Sequence, residues 1–241
     1  MFKKITLFIL NIFDFFHKKK IKNFLIKNKI TNFNMIFDIG GHKGETISFF
    51  LKNFNVDKII SFEPSPINFE KLKINTLQFK KRYKKTQIFI ENFGIGQKEE
   101  KLKLKQHSES SSSTINDFNI ESNYLKKKNK FLNLKNNFFK EVDINVITLE
   151  DYINKNDIQK IDILKIDTEG YEFDVLKGLK DKLGLVGFLM FEHHYDDMLK
   201  KKYTFQDINN LLKKYNFKKI FKSRMPFRKS FEYIYKNEKI T

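Results

Sequence analysis

The feature that most constrains this chain is the alternation of short apolar runs with longer segments of helical period. The apolar runs are typical of buried strands and comprise Met35–Ile39, Lys58–Glu63, Thr86–Asn92, Ile161–Asp167 and Gly187–His193. The segments predicted as helices are Gly44–Asn53, Ile67–Phe79, Glu172–Lys182 and Thr204–Tyr215. Alternation of this kind predicts βαβ units and a parallel sheet that is covered by helices on both faces.

Three further segments complete the predicted organisation. Residues 1–30 form a helical, lysine-rich extension, and residues 31–241 form one domain. Residues 97–145 are an insertion between the third and fourth core strands, with an alternating strand in "KLKLKQH" and a strand running into a helix in "KEVDINVITLEDYI". Lys218–Ser223 and Phe231–Lys236, joined by a turn around Pro226, predict an antiparallel pair at a sheet edge.

The net charge of +18 by itself favours a nucleic acid or an anionic membrane as partner. The chain has only three arginines and no alanine, and lysine, asparagine, isoleucine and phenylalanine dominate. This skew is typical of nucleotide-composition bias at surface positions, and nucleic-acid readers usually rely on arginine. No nucleic-acid partner is therefore expected. The lack of cysteine excludes thiol chemistry and fits a reducing compartment, so a cytoplasmic protein is expected.

The N-terminal stretch "MFKKITLFILNIFDFFHKKK" is apolar, but Asn11 and Asp14 interrupt it. A membrane span needs about 20 apolar residues, and a signal peptide would be followed by a small-residue cleavage site, which is not present. An amphipathic helix remains. Such a helix packs on the domain or, as the alternative, makes a peripheral contact with a membrane surface.

Three of the nine glycines fall within five positions, in "FDIGGHKGE". A glycine turn between a strand and a helix lets the backbone approach a ligand, and the amides of the helix start then point at that ligand. Glu63 ends the next strand, about 20 residues on, where an acidic residue commonly accepts hydrogen bonds from ribose. The unit predicts a nucleoside-binding βαβ, and the alternatives are plain turn geometry for the glycines and a surface charge for Glu63. Asp38 beside the turn would repel a pyrophosphate but attract a sulfonium, which favours S-adenosylmethionine over NAD.

Several motifs follow one another from about Phe33 to His193: "FDIGGHKGETISFF", "ISFEPSPINFEKLKIN", "NFGIGQKEEKLKL", "SSSSTI", "INVITLEDYI" and "IDILKIDTEGYEFDVLKG". In this order they resemble the FkbM-type S-adenosylmethionine-dependent methyltransferases. The chain departs from the family pattern at Gly41-His42 and at Phe93-Gly94, which affects the shape of the pocket rather than the glycines or the acids.

The resemblance implies a Rossmann-like class I methyltransferase fold: a seven-stranded, mostly parallel sheet with an antiparallel last strand. It implies methyl transfer from S-adenosylmethionine to a hydroxyl of a sugar, a glycan or another small molecule. It also implies a cofactor site that holds Asp38, Gly40, Gly41, Gly44, Glu45, Thr46, Glu63, Pro64 and Asn92.

Candidate catalytic residues lie at strand ends, which meet in one crevice of a doubly wound sheet. Asp167 and Glu169 are predicted to act on the acceptor, and the alternative is that "DTEGYE" only caps the next helix. His193 is a candidate base because its pKa lies near neutral, although only one of His193 and His194 can face the pocket. Lys165, inside its strand, is expected to pair with Asp167 or Glu192. No metal is expected.

Two questions stay open at this level. The serine loop Ser108–Ser113 is either a flexible connector or a lid over the acceptor. The domain as a whole is either an enzyme or a Rossmann-like module that binds a nucleoside ligand without catalysis; a nucleic-acid methyltransferase is a further alternative, which lacks the Asn/Asp-Pro-Pro-aromatic motif of many base methylators.

Overall fold

A computed structural model of the protein describes residues 2–107, 113–131, 138–225 and 229–240, with side chains from residue 13 onward except that of Phe131. A long N-terminal helix comes first and is followed by two βα units and a third strand. The bounds are α1 Phe2–Lys27, β1 Asn32–Ile39, α2 Glu45–Asn53, β2 Asn55–Phe62, α3 Pro66–Arg82 and β3 Gln87–Glu91.

The second half of the chain begins with the predicted insertion and then returns to the main sheet. Its bounds are β4 Gly94–Ile95, β5 Glu100–His107, α4 Asn123–Phe131, β6 Phe139–Ile147, α5 Leu149–Lys155, β7 Ile161–Ile166, α6 Glu172–Lys177, β8 Val186–His194, α7 Phe205–Lys214, β9 Phe217–Arg224 and β10 Ser230–Asn237. A 3-10 segment, Lys180–Leu185, connects α6 to β8.

The main sheet has seven strands in the order β3-β2-β1-β7-β8-β10-β9. The five strands from β3 to β8 are mutually parallel, and β10 runs antiparallel to both of its neighbours. This arrangement confirms the predicted fold class. Because the chain runs outward from β1 to β3 and then crosses back to β7, the strand order reverses between β1 and β7, and the crevice beyond their carboxyl ends is where ligands bind in open α/β sheets.

The segment between β3 and β7 forms a sheet of its own, in the order β4-β6-β5. The alternating strand and the strand-helix pair predicted there are confirmed as β5, β6 and α5. Helix α4 was not predicted. The serine loop lies outside the described residues apart from Ser113, and so does the predicted turn at Pro226.

Helices cover both faces of the main sheet, as predicted. One face packs Phe37, Leu164 and Phe191 against α5, α6 and α7. The other packs against α1, α2 and α3, and its core includes Ile21 and Leu25 of α1. The C-terminal half of α1 is therefore part of the core, which fits the prediction that this helix packs on the domain.

The predicted helix Glu172–Lys182 is wrong in its second half, since α6 ends at Lys177. The cause is Gly178: a Cβ there would lie 1.9 Å from the carbonyl oxygen of Gly96 in the loop after β4. The two backbones touch, so the helix stops where the small sheet crosses it.

Candidate active site

A cleft of about 750 Å³ opens at the carboxyl ends of β1, β2 and β7. Its volume falls within the range of small-molecule sites, about 300–1,000 Å³. The predicted residues that line it are Gly40, Gly41, Glu45, Thr46, Glu63, Pro64, Asp167 and Glu169. The structure thus brings residues from both predicted halves, cofactor and acceptor, into one cleft.

The glycine turn is shaped by close backbone contacts. Gly40 has φ +88°, and a Cβ on it would lie 2.0 Å from the carbonyl oxygen of Asp167. A Cβ on Gly41 would lie 2.0 Å from Ser61 Oγ. Only glycine allows the end of β1 to press against β7 on one side and β2 on the other.

The amides of this turn are used inside the protein. The N–H groups of Gly40 and Gly41 both donate to the carbonyl of Phe62 at 2.9 Å, and Gly44 N–H donates to the carbonyl of Gly41. Lys43 N–H donates to Glu45 Oε2 at 3.0 Å. These turn amides are therefore not free to point at a ligand. Helix α2 begins at Glu45, so the expectation for the amides of the helix start stays a prediction. The turn lacks the open amide nest that phosphate binding requires.

Glu63 joins the two turns that follow β1 and β2. Its Oε2 accepts the N–H of His42 at 2.7 Å, and its Oε1 accepts the N–H of Ser65 at 2.8 Å. Burial raises the pKa of this carboxyl to about 7, against the two backbone donors, which lower it. Each oxygen keeps a lone pair, so the carboxylate remains able to accept hydroxyl donors from the cleft.

Three predicted cofactor residues support the cleft from outside it. Asp38 is fully buried and accepts the Ser61 hydroxyl at 2.8 Å, and burial raises its pKa to about 6. Gly44 caps α2 with φ +93°. Asn92 donates its amide to the carbonyl of Glu63 at 2.9 Å. These residues hold the turns in place, and none of the three lines the cleft.

On the acceptor side, Asp167 follows β7, and its side chain, which is 39% exposed, adjoins a buried charge pair. Lys165 Nζ lies 3.5 Å from Asp167 Oδ2 and 3.1 Å from Glu232 Oε1. Burial alone would lower the pKa of Lys165, but the carboxylates of Asp167, Glu232 and Glu192 outweigh burial and raise that pKa, so Lys165 is a cation. The predicted partner Asp167 is present, and Glu232 of β10 was missed.

Glu169 sits in a tightly held loop after β7. Its φ of +49° is uncommon for a residue other than glycine. Its carbonyl accepts the hydroxyl of Thr114 at 2.7 Å, and the carbonyl of Gly170 accepts the amide of Asn116 at 2.6 Å. The inserted segment thus fixes this loop at the cleft.

The loop is also fixed from its own helix. Glu172 Oε1 accepts the N–H of Gly170 at 2.9 Å, and its other oxygen accepts the hydroxyl of Tyr203. Helix α6 has no side-chain cap at its start. Neither Asp167 nor Glu169 therefore caps that helix, whereas Glu172 of the same motif lies in its first turn, so the capping alternative stays open for that residue.

The prediction of His193 as the base needs correction. Side chains alternate along β8, so Met190 and Glu192 line the cleft while His193 points to the opposite face. Its ring contacts those of Tyr195, Tyr203 and Phe205. Burial lowers its pKa to about 3, so it is neutral but lies away from the cleft.

Helix α1 supplies a wall of the cleft that the sequence did not reveal. Asp14, His17 and Lys18 line it together with Phe15 and Ile21. His17 is buried, and its Nδ1 lies 3.3 Å from Ser223 Oγ on β9. The sequence did contain a hint of this wall: polar residues such as Asn11, Asp14 and Lys18 interrupt the apolar N-terminal stretch at helical spacing.

No group of three or more acidic, histidine or cysteine side chains in the described ranges is arranged to hold a metal ion. None of the helices that the structure describes is long and apolar enough to cross a membrane. Peripheral membrane contact stays a prediction, with Phe15 and Phe16 of α1 as its exposed candidates.

A family model described as the methyltransferase FkbM domain matches residues 38–219, which takes in the glycine turn, Glu63, Asp167 and Glu169. The chain belongs to the FkbM methyltransferase family. A curated relative, Methyltransferase 1 of Beauveria bassiana (strain ARSEF 2860), is 24% identical over 152 residues, 62% of this chain and 59% of the relative. The chain thus spans less than two thirds of that relative's length.

Solved structures of methyltransferases share the fold of this domain. Methyltransferase FkbM from Methylobacillus flagellatus KT has a TM-score of 0.56 at 14% identity, covering 85% of this chain and 43% of that one. Magnesium protoporphyrin IX methyltransferase from Synechocystis PCC 6803, with bound S-adenosylmethionine, has a TM-score of 0.51 at 7% identity over 93% and 78%. TrmK of M. capricolum, with S-adenosylhomocysteine, has 0.50 at 11% over 92% and 68%. At these identities the likeness is one of fold.

Proposed function

We propose that the protein is an S-adenosylmethionine-dependent methyltransferase that methylates a hydroxyl of a sugar, a glycan or another small molecule. The observation that supports this proposal is that Gly40, Gly41 and Glu63 line the same cleft as Asp167 and Glu169. Family membership supports methyl transfer, and the residues of the cleft support the choice of cofactor and acceptor.

The cofactor half fits S-adenosylmethionine better than a dinucleotide. Glu63 offers lone pairs to vicinal ribose hydroxyls, and the glycine turn leaves room for close approach. The amides of the turn already donate to the carbonyls of Phe62 and Gly41 and to the carboxylate of Glu45. They are therefore not available to bind a pyrophosphate. Bound S-adenosylmethionine supplies a methyl group on a positively charged sulfur, and the acidic surroundings suit that charge.

The acceptor half offers carboxylates that orient a hydroxyl and take its proton. Asp167 lines the cleft and is held by the Lys165 cation. Burial raises the pKa of Glu169, which makes its carboxylate a better proton acceptor near neutral pH. The main role of these residues is to hold the acceptor oxygen in line with the methyl group, since alignment contributes most to such displacements.

The acidic cleft favours a neutral acceptor. Asp167, Glu169, Glu192 and Glu232 outnumber Lys165 along its acceptor side. A phosphate-bearing acceptor would meet like charge there, whereas carboxylates commonly accept hydrogen bonds from sugar hydroxyls. Lys18, Lys43 and Lys165 line the cleft, whereas basic runs such as Lys80–Lys85 are exposed outside it. The high net charge of the chain is therefore no reason by itself to place a nucleic acid in the cleft.

The test is a methyl-transfer assay on the purified protein. S-adenosylhomocysteine formation is measured with fractionated glycans and hydroxylated metabolites as acceptors, beside Asp167→Asn and Glu169→Gln, with Glu150→Gln as a control outside the cleft. We expect a base-stable methyl ether as product and a loss of roughly 100-fold or more in one of the cleft variants. Cofactor binding with no turnover in any fraction would instead favour the non-catalytic module.

A further inference from the structure

His194 lies behind the acceptor half of the cleft, among three buried carboxylates. Its Nε2 is 3.4 Å from both Glu169 Oε2 and Glu192 Oε1, and its Nδ1 is 3.4 Å from Asp196 Oδ2. The exposed fractions of the four side chains run from 1% to 12%. The imidazole therefore sits between two carboxylates on one side and a third on the other.

This arrangement favours a charge on the ring. Two carboxylates that approach one buried point repel each other strongly unless a cation or a shared proton lies between them. Burial alone would lower the pKa of His194, but Glu169, Glu192 and Asp196 outweigh it and raise that pKa. Lys201 also contacts His194, but it donates to the backbone carbonyl of that residue rather than to the ring.

The position of the ring relates it to the chemistry of the cleft. Glu169 and Glu192 line the cleft, whereas His194 and Asp196 do not. Glu192 and His194 share one face of β8 because they are two residues apart. Glu169 reaches the same point from the loop after β7. The ring of His194 thus links Glu192 of strand β8 to Glu169 of the loop after β7.

We propose that His194 is a positioning residue of the methyl-transfer site: its imidazolium holds Glu169 and Glu192 side by side at the cleft, and Asp196 holds the ring from behind. The proposal rests on the proposed function, since it takes the cleft to be where the acceptor binds. Without the cation, one of the two carboxylates would take up a proton or turn away, and the acceptor would lose a hydrogen-bond partner.

The charge on His194 is measurable without cofactor or acceptor. The full chain is labelled with ¹⁵N-histidine, and ring nitrogens are followed by long-range ¹H–¹⁵N NMR from pH 5 to 11, because the carboxylates raise the pKa of His194 to about 10. His194→Gln assigns the signal among the five histidines. We expect both ring nitrogens to be protonated at pH 8. Glu192→Gln should lower the midpoint by about one unit or more, while Glu70→Gln, an exposed glutamate, should leave it unchanged.

A neutral His194 ring at pH 7.5 in the wild-type protein, or a midpoint that Glu192→Gln does not move, would overturn the proposal. In the methyl-transfer assay, His194→Gln should lower kcat at least tenfold with the KM for S-adenosylmethionine unchanged; an unchanged kcat would also overturn it. Failure of the wild type to bind S-adenosylmethionine is a separate result, which would contradict the proposed function. The NMR titration would still show whether His194 is charged between Glu169 and Glu192.

Discussion

Replacing Gly40 by alanine is the most direct test of how the turn is built. Gly40 has φ +88°, and a new Cβ would lie 2.0 Å from the carbonyl oxygen of Asp167. That oxygen belongs to backbone that is itself fixed, because Asp167 N–H donates to the carbonyl of Ile39 at 2.9 Å. The neighbour cannot move aside as a flexible side chain would.

Two costs add at this position. A left-handed backbone costs a residue with a Cβ about 1–2 kcal/mol. Forcing a methyl group into a packed site costs about 1–3 kcal/mol more. The free energy of unfolding of Gly40→Ala should therefore fall by about 2–5 kcal/mol, which is a large part of the total for a domain of this kind.

The assay is urea unfolding at pH 7, followed by circular dichroism. Gly184→Ala is the matched control, since a Cβ there meets nothing within 4 Å, and it should stay within about 1 kcal/mol of the wild type. A Gly40→Ala protein as stable as Gly184→Ala would refute the close contact between the ends of β1 and β7, and with it the shape of the cofactor half.

Four further outcomes are expected. Because burial raises the pKa of Asp38 from 3.8 to about 6, the stability linked to its protonated form is full below pH 3.8 and lost as the pH rises through 6. Between pH 3.5 and pH 8, the free energy of unfolding of Asp38→Asn, measured with urea, should therefore fall by about 3 kcal/mol less than that of the wild type. An equal fall in the two proteins would contradict this. Lys165→Met, which leaves Glu232 buried without its cation, should destabilise the fold by about 3–5 kcal/mol at pH 8 and by less at pH 5, by the same assay. Phe15→Ser with Phe16→Ser should abolish any sedimentation with anionic vesicles while leaving the melting temperature within a few degrees, and unchanged sedimentation would exclude these rings as the contact. In the methyl-transfer assay, tRNA and duplex DNA should yield no more S-adenosylhomocysteine than buffer does, and turnover above that level would restore the nucleic-acid alternative.

The main sheet was predictable because its strands are short, apolar and separated by helical periods. In a parallel sheet the carboxyl ends share one edge, so Glu63 and Asp167 had to approach the glycine turn once the order was known. The small sheet was only partly predictable. Its strands were visible in the alternation of residues 101–107, but their pairing away from the main sheet depends on contacts distant in sequence.

The choice between His193 and His194 depends on which face of strand β8 each side chain occupies. Lys165 was expected to pair with Asp167 or Glu192, and it is the structure that places Glu192 on the cleft face. His194, two residues on, shares that face by alternation. Alternation thus tied His194 to Glu192, but the sequence did not show which face meets the cleft, nor that three carboxylates converge on the ring, because Glu169 arrives from another loop.

The wall formed by α1 was the least predictable part. His17 meets Ser223 across 206 residues, and no local pattern specifies so distant a contact. Helix propensity accounts for the formation of α1, whereas its position on the sheet depends on the packing of Ile21 and Leu25 in the core. The break at Gly178 has the same origin, since the loop it meets belongs to another part of the chain.

The most direct test of the central claim is calorimetric titration of the purified protein with S-adenosylmethionine and S-adenosylhomocysteine. The account predicts micromolar binding that weakens roughly 10- to 150-fold in Glu63→Ala, as expected for lost hydrogen bonds to a charged group. Glu91→Ala is the control, because Glu91 also ends a strand but lies outside the cleft. No binding by the folded wild type, or equal weakening in both variants, would contradict the assignment of this cleft as the cofactor site.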